Sequence, residues 1–273
     1  MTDKRVGGPF GAPPAPRLKV EARGPVLRVS LNRPELRNAF DDHLIAQATE
    51  LFTALAGDTS VRVVVLGGEG KSFCAGADLG WMSRMVSYTF EENRRDAEKL
   101  AAMLRALDDY PRPVVARVHG AALGGGTGLA AACDVVLAAA GTLFGTTEVR
   151  LGIVPAVISP YVVRKIGEAN ARVWFLTGER FDAEEARRVG LVHRVVQEDQ
   201  LDAAVDETVK AILAGGPEAQ AEAKRLAKSM GRLPLESAVP LTVQSIAERR
   251  TSEEGQEGMK AFLGKRAASF ASP

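Results

Sequence analysis

The chain has 273 residues, 46% of them hydrophobic and 25% charged, the balance of a globular protein with a sizeable core. Its 35 basic and 34 acidic side chains leave a formal charge of +1, which argues against nucleic acid or an anionic membrane as partner. The two cysteines, Cys74 and Cys133, form no CxxC pair, which argues against a zinc site or a disulfide scaffold and fits a reducing compartment.

Residues 1–16 are rich in Gly and Pro and show neither a period nor an apolar h-region. They read as a disordered tail, not a signal peptide. No apolar run is long enough to span a bilayer, so a cytoplasmic protein is expected. Residues 18–22 and 26–31 read as strands, turned at Arg23-Gly24-Pro25. Residues 32–39 form a polar loop. Asp41 then caps a helix whose apolar positions Leu44, Ala48, Leu51, Phe52 and Leu55 recur at helical spacing. Residues 61–66 are a β-branched run, read as a buried strand. A glycine-rich loop, GGEGKSFCAGADLGW (67–81), ends in a helical turn. Helix 91–107 carries Leu100, Met103, Leu104 and Leu107, and strand 113–118 follows.

That strand runs into GAALGGGTG (120–128), which hands over to an Ala-rich helix. Gly124, Gly125 and Gly126 therefore sit where backbone N–H groups are unpaired and the positive end of a helix lies behind them. Such a turn suits close packing, a phosphate cradle or an oxyanion hole. It lacks a Walker lysine and serine and does not satisfy GxGxxG. Residues 134–138 and 142–144 read as short strands. Residues 161–166, 169–176 and 183–189 read as short helices, and 191–195 as a last strand. From Leu201 the pattern is helical, with a stripe of Val205, Val209, Ile212 and Leu213 and further helices over 217–230, 235–249 and 252–266. The expected organisation is a tail (1–16), a core of repeated strand–strand–helix units (17–200) and a helical region (201–273).

Two strands, 61–66 and 113–118, each enter a glycine-bearing loop followed by helix. Side by side, the loops open at one end of the sheet, and each offers one N–H to a single oxygen. Two converging donors are what an oxyanion hole requires. Thioester chemistry needs one, because moving a proton next to the carbonyl puts charge on that oxygen. Glu148, in FGTTE (144–148), is the acid–base candidate, although a lone glutamate also serves as a surface acid or ion-pair partner. Asp78 also reads as a helix cap, Cys74 as a structural cysteine and His119 as a base or a packing histidine. His43, His119 and His193 lack metal-ligand spacing, so no metal is expected.

Five segments in order resemble the enoyl-CoA hydratase/isomerase, or crotonase, family: LNRPELRNAF (31–40), SFCAGADL (72–79), HGAALGGGTGLAAACD (119–134), FGTTEVRLGIVP (144–155) and GMKAFLGKR (258–266). The resemblance implies an α/β fold, a crotonase (ClpP-like) spiral of ββα units with a C-terminal helical trimerisation region. It implies an acyl-CoA substrate, with coenzyme A as part of the substrate and no separate cofactor, and a homotrimer or a dimer of trimers. By position, the N–H groups of Ala77 and Gly125 would form the oxyanion hole beside Glu148. Arg37, Ala39, Ala75, Asp78 and Gly124 would line the CoA and substrate groove. Phe262 and Lys265 match a C-terminal helix that touches the CoA of a neighbouring subunit.

Family hydratases usually carry two glutamates, and Gly128 stands where the first would be. One glutamate is the arrangement of the Δ3,Δ2-enoyl-CoA isomerases. Residues 147–163 instead resemble the bacterial 3-methylglutaconyl-CoA hydratase branch of leucine and isovalerate metabolism and its carboxygeranoyl-CoA relatives. The expectation is hydration or dehydration of a branched, carboxylated enoyl-CoA, with Arg150 or Arg84 as counter-ion to the distal carboxylate. Isomerisation, thioester hydrolysis, decarboxylation and RNA association are the competing classes.

Overall fold

The computed structural model describes residues 16–271; of the expected tail, all but Pro16 lies outside the described residues. The chain opens with an antiparallel pair, β1 (Leu18–Arg23) and β2 (Val26–Leu31). Helix α1 (Asp42–Leu55) follows, its first turn capped by the Asp41 carboxylate, which accepts from Leu44 N–H at 2.8 Å. Strand β3 (Val63–Gly68), helices α2 (Leu79–Met85) and α3 (Phe90–Asp109), and strand β4 (Val114–Val118) come next. Then come β5 (Ala121–Leu123), α4 (Gly125–Ala132), β6 (Val135–Ala139), β7 (Leu143–Gly145) and α5 (Ser159–Thr177). Strand β8 (Arg180–Asp182), helix α6 (Ala183–Arg188) and strand β9 (Arg194–Val196) complete the strand-bearing part. Four helices follow: α7 (Leu201–Leu213), α8 (Pro217–Met230), α9 (Leu235–Thr251) and α10 (Glu253–Leu263).

The larger sheet has the order β1-β2-β3-β4-β6-β9, parallel from β2 onward. The smaller has the order β5-β7-β8. Two single bridges, Phe40 to Ala77 and Cys74 to Ala122, extend the small sheet as a second row of short segments. Each turn of chain thus passes from a large-sheet strand to a short second-row segment and then to helix, the spiral of ββα units expected.

Alternation along the strands divides the core. Val64 and Leu66 face the helices α1, α3, α4 and α5, whereas Val63 and Val65 face Leu201, Val205 and Val209 of α7. Helix α8 buries no residue fully and docks through charge. Glu218 meets Arg112 at 2.7 Å, Lys224 meets Asp134 at 2.7 Å, and Lys228 meets both Asp108 and Asp109. Helices α9 and α10 pack on α8.

Several boundaries differ from the sequence expectation. Strand β3 begins at Val63, where pairing with Val26 starts, and continues through Gly67 and Gly68 opposite Ser30 and Leu31. Hydropathy cannot show that partner. Strands β5 and β8 were not expected, because three-residue segments paired only to distant partners carry no period. Gly167, at φ 73° and ψ 159°, interrupts α5, so two helical segments are present as expected.

At Gly126, α4 comes so close to the second row that a Cβ would overlap the Cys74 carbonyl oxygen. Gly126→Ala will cost about 1–3 kcal/mol and lower the melting temperature by several degrees. Gly141→Ala, where a Cβ meets nothing within 4 Å, will leave it unchanged in the same thermal melt.

Candidate active site

The site begins where β5 ends. Gly124 holds φ 51° and ψ −119°, a conformation that suits glycine, and turns the chain into α4. The Phe40 ring lies under Gly125; a Cβ there would stand 2.6 Å from Cε2. Thr127, fully buried, donates to the Ala122 carbonyl at 2.6 Å, lies 3.0 Å from the Gly145 carbonyl and accepts from Gly145 N–H, tying the helix start to both short strands. The N–H of Gly125 has no backbone or side-chain acceptor among the described residues.

The other loop runs alongside. Cys74 N–H donates to Ala121 at 2.9 Å, and Leu123 N–H donates to Cys74 at 3.0 Å. Phe40 N–H donates to Gly76 at 2.7 Å, and Asp78 N–H donates to Phe40 at 2.8 Å. In a parallel bridge of this kind the intervening residue, Ala77, turns its own N–H away from Phe40. That N–H also has no acceptor among the described residues. The loop behind it is held by His119, whose Nδ1 lies 3.1 Å from an Arg117 nitrogen and whose Nε2 lies 2.9 Å from the Gly70 carbonyl. With the guanidinium as donor to Nδ1, the proton sits on Nε2 and is given to Gly70. Both nitrogens of this buried ring are committed, so it serves packing.

Glu148 starts a 3-10 turn, Glu148–Leu151, after β7. A Cβ on Gly124 would lie 3.2 Å from its Oε1 and 4.0 Å from Gly76 Cα, so acid, helix start and second loop meet at one point. Glu148 Oε2 is buried with no partner among the described residues, and so is Thr146 Oγ1. Burial pushes the Glu148 carboxyl above its ordinary value, against a weaker opposing bond from its own N–H. A carboxyl held this way exchanges a proton nearer neutrality than an exposed one.

Gly128 lies one turn along α4 from Gly124, fully buried. A Cβ there would overlap Cγ2 of Ile158, itself 3% exposed. The room a second acid would need is filled by a hydrocarbon side chain at the head of α5.

The other expected residues are distributed as follows. Ala77 and Ala75 lie on the second loop, and Ala75 N–H donates to the carbonyl of the exposed Arg37 at 2.9 Å. Ala39 is buried, with its carbonyl accepting from Arg33 at 2.8 Å. Asp78 caps α2 through Trp81 N–H and pairs with Arg33. Burial raises its carboxyl, but those two bonds outweigh it and hold the group below the ordinary range. Phe262 lies in the last turn of α10, but Lys265, expected on the same helix, lies two residues beyond its end at Leu263, past the Gly264 cap; both are exposed. Cys74 is fully buried and its thiol is pushed up to about 12, which removes it as a nucleophile. Arg84 pairs with Asp42 at 2.9 Å, and Arg150 donates to the Thr177 carbonyl at 3.4 Å. Sequence reasoning missed Phe40, Ile158, Thr146 and Arg33; only the loop 31–40 carried a signal, as the Arg–Pro and Asn of LNRPELRNAF.

Among the described residues no helix is long and apolar enough to cross a membrane, and no three His, Cys, Asp or Glu side chains gather as metal ligands. The family model described as "Enoyl-CoA hydratase/isomerase" matches residues 21–273. The chain is 33% identical over 244 residues to the crotonyl-CoA hydratase of Syntrophomonas wolfei, covering 89% of this chain and 93% of that protein. It is 33% identical over 255 residues to the 2,3-dehydroadipyl-CoA hydratase of Escherichia coli, covering 93% and 98%. An enoyl-CoA hydratase structure from Shewanella pealeana superposes with a TM-score of 0.90 at 37% identity, covering 94% of this chain and 96% of that one.

Two outcomes test this geometry. The native state holds the Glu148 proton more tightly than the unfolded chain, so stability falls as pH rises from the ordinary 4.5 through the raised value. Glu148→Gln does not titrate; its melting temperature will exceed that of the wild type at about pH 8 and match it at about pH 4. Gly128→Glu will destabilise the protein by about 1–3 kcal/mol, and adding Ile158→Ala will recover part of that loss in chemical denaturation.

Proposed function

The chain belongs to the enoyl-CoA hydratase/isomerase family and has the crotonase fold, and from that premise we propose that it adds water to, and removes it from, an enoyl-CoA thioester with a branched, carboxylated acyl group, 3-methylglutaconyl-CoA being the expected substrate. The observation that carries the reading is the buried, unpartnered carboxyl of Glu148 set against two free backbone donors.

In this mechanism the thioester oxygen sits between the N–H groups of Ala77 and Gly125. Glu148 takes a proton from water as the oxygen attaches to C3, and the displaced electron pair gathers on the thioester oxygen. The two N–H groups stabilise that charge. Glu148 then returns the proton to C2, so the net change is one water across the double bond. The raised carboxyl suits both steps, since it binds a proton more readily than an exposed carboxylate and can give it back.

The E. coli relative is named for 2,3-dehydroadipyl-CoA, whose acyl chain ends in a carboxylate, and this supports a carboxylated substrate. Arg150 makes no ion pair among the described residues, whereas Arg84 is paired with Asp42, so Arg150 is the better counter-ion. Leu235, Val239, Val243, Phe262 and Leu263, all exposed on α9 and α10, support self-association as a trimer or a dimer of trimers. In that assembly Phe262 and Lys265 would reach a neighbour's CoA, and Arg37, Ala39, Ala75, Asp78 and Gly124 would line the groove.

A second reading has its own observation. With Gly128 closed by Ile158, one acid is available, which also suits Δ3,Δ2 isomerisation, where one base moves one proton between C2 and C4. A panel of 3-methylglutaconyl-CoA, crotonyl-CoA and a 3-enoyl-CoA separates them. Hydration gives loss of the conjugated enoyl absorbance, fastest with 3-methylglutaconyl-CoA; isomerisation gives its appearance from the 3-enoyl-CoA alone. Glu148→Gln will lower kcat by about 10²–10⁴-fold in whichever reaction the wild type performs, and a near wild-type rate would remove Glu148 from the mechanism.

A further inference from the structure

Arg33 is 5% exposed and sits at the head of the loop that carries Phe40. Its Nη1 donates to the Ala39 carbonyl at 2.8 Å and pairs with Asp41 Oδ2 at 3.1 Å. Its Nη2 pairs with Asp78 Oδ2 at 3.0 Å. Ala39 and Asp41 flank Phe40, and Asp78 follows Ala77. The guanidinium therefore grips both strands of the Phe40–Ala77 bridge, one on either side of its two hydrogen bonds. Its own backbone is held as well: Arg33 N–H donates to Asn38 Oδ1 at 2.8 Å, and the Asn38 amide donates to the carbonyls of Glu69 at 2.9 Å and Ser72 at 2.8 Å.

Charge alone does not account for this arrangement. Arg17 also pairs with Asp41 at 3.1 Å, so two arginines meet two aspartates and the cluster is neutral. What Arg33 adds is a planar fork that fixes the spacing and angle between two separate segments. A lysine ammonium is a single point on a flexible stem and cannot hold three acceptors in one plane.

We infer that Arg33 is a positioning residue for catalysis: through Asp78 and Ala39 it sets the direction of the Ala77 N–H. The inference rests on the reading of Ala77 as an oxyanion donor. A donor displaced by a fraction of its bond length loses most of its effect on the developing charge.

The test uses Arg33→Lys and Asp78→Asn in the full-length protein. In the asparagine variant Oδ1 can still cap α2, but the charge facing Arg33 is gone. Each is assayed with the substrate that the wild type turns over best, and the absorbance of a bound, non-reacting conjugated acyl-CoA is recorded. Hydrogen bonds to the thioester oxygen polarise the conjugated system and shift its absorbance to the red. Arg33→Lys is expected to lower kcat by about 10²-fold and to reduce the red shift. Asp78→Asn is expected to reduce the shift in the same direction, and the double variant to fall no further than Arg33→Lys, because both remove one link. If Arg33→Lys does not fold, the shift in Asp78→Asn decides the question. Wild-type kcat and red shift in the folded variants would overturn the role of Arg33 and leave the oxyanion reading intact. Absence of any red shift in the wild type would overturn the oxyanion reading itself, and the inference with it.

Discussion

The site depends on the close approach of two backbones: segment 74–77 and the turn from β5 into α4. Hydrogen bonds between Cys74, Ala121 and Leu123 bring them into contact, and no side chain is allowed between them. Gly126 lies where a Cβ would strike the Cys74 carbonyl, and Gly124 where one would crowd Glu148. The Gly125 N–H is left without an acceptor among the described residues because it lies in the first turn of α4, and the Ala77 N–H because it faces away from the Phe40 bridge. Beside that contact Glu148 Oε2 is buried with no partner among the described residues. Geometry, electrostatics and the raised carboxyl therefore follow from one packing requirement.

The handling of charge differs between the site and its surroundings. Glu148 has no cation against it among the described residues, and burial raises its proton affinity. Asp78 is also partly buried, but a guanidinium and a helix N-terminus hold it ionised. Close by, Arg17 and Arg33 pair with Asp41 and Asp78, and further off the α8 side chains pair with Arg112, Asp134 and the Asp108–Asp109 pair. An isolated acid among satisfied ones is what marks Glu148, a contrast that exists only in three dimensions.

Much of this was legible in the sequence, and the reason the rest was not is physical. The glycine loop, the Ala77 loop and Glu148 are local signals, because a run of small residues between strand and helix announces a bare backbone. The repeated strand–strand–helix order was legible in the residues, and the spiral in the resemblance to the crotonase family. Ile158 was not, because an isoleucine at the head of a helix looks the same whether it faces Gly128 or solvent. Phe40 beneath Gly125 and Arg33 across the Phe40–Ala77 bridge are likewise relations between distant segments. Strands β5 and β8 failed for the same reason: three residues have no period, and their pairing alone defines them.

The dispersal of the site has a kinetic meaning. Phe40, Ala77, Gly125, Glu148 and Ile158 come from successive turns of the spiral, and contacts between them close long loops of chain. Loop closure must precede any reward from those contacts, so a topology of this contact order folds slowly. Until α5 is in place, nothing lies over Gly128 and the β7 end that carries Glu148 has no wall. In a chain emerging from synthesis the two donors can meet once segments 74–77 and 121–125 pair, whereas Glu148 and Ile158 join them only with the later turns.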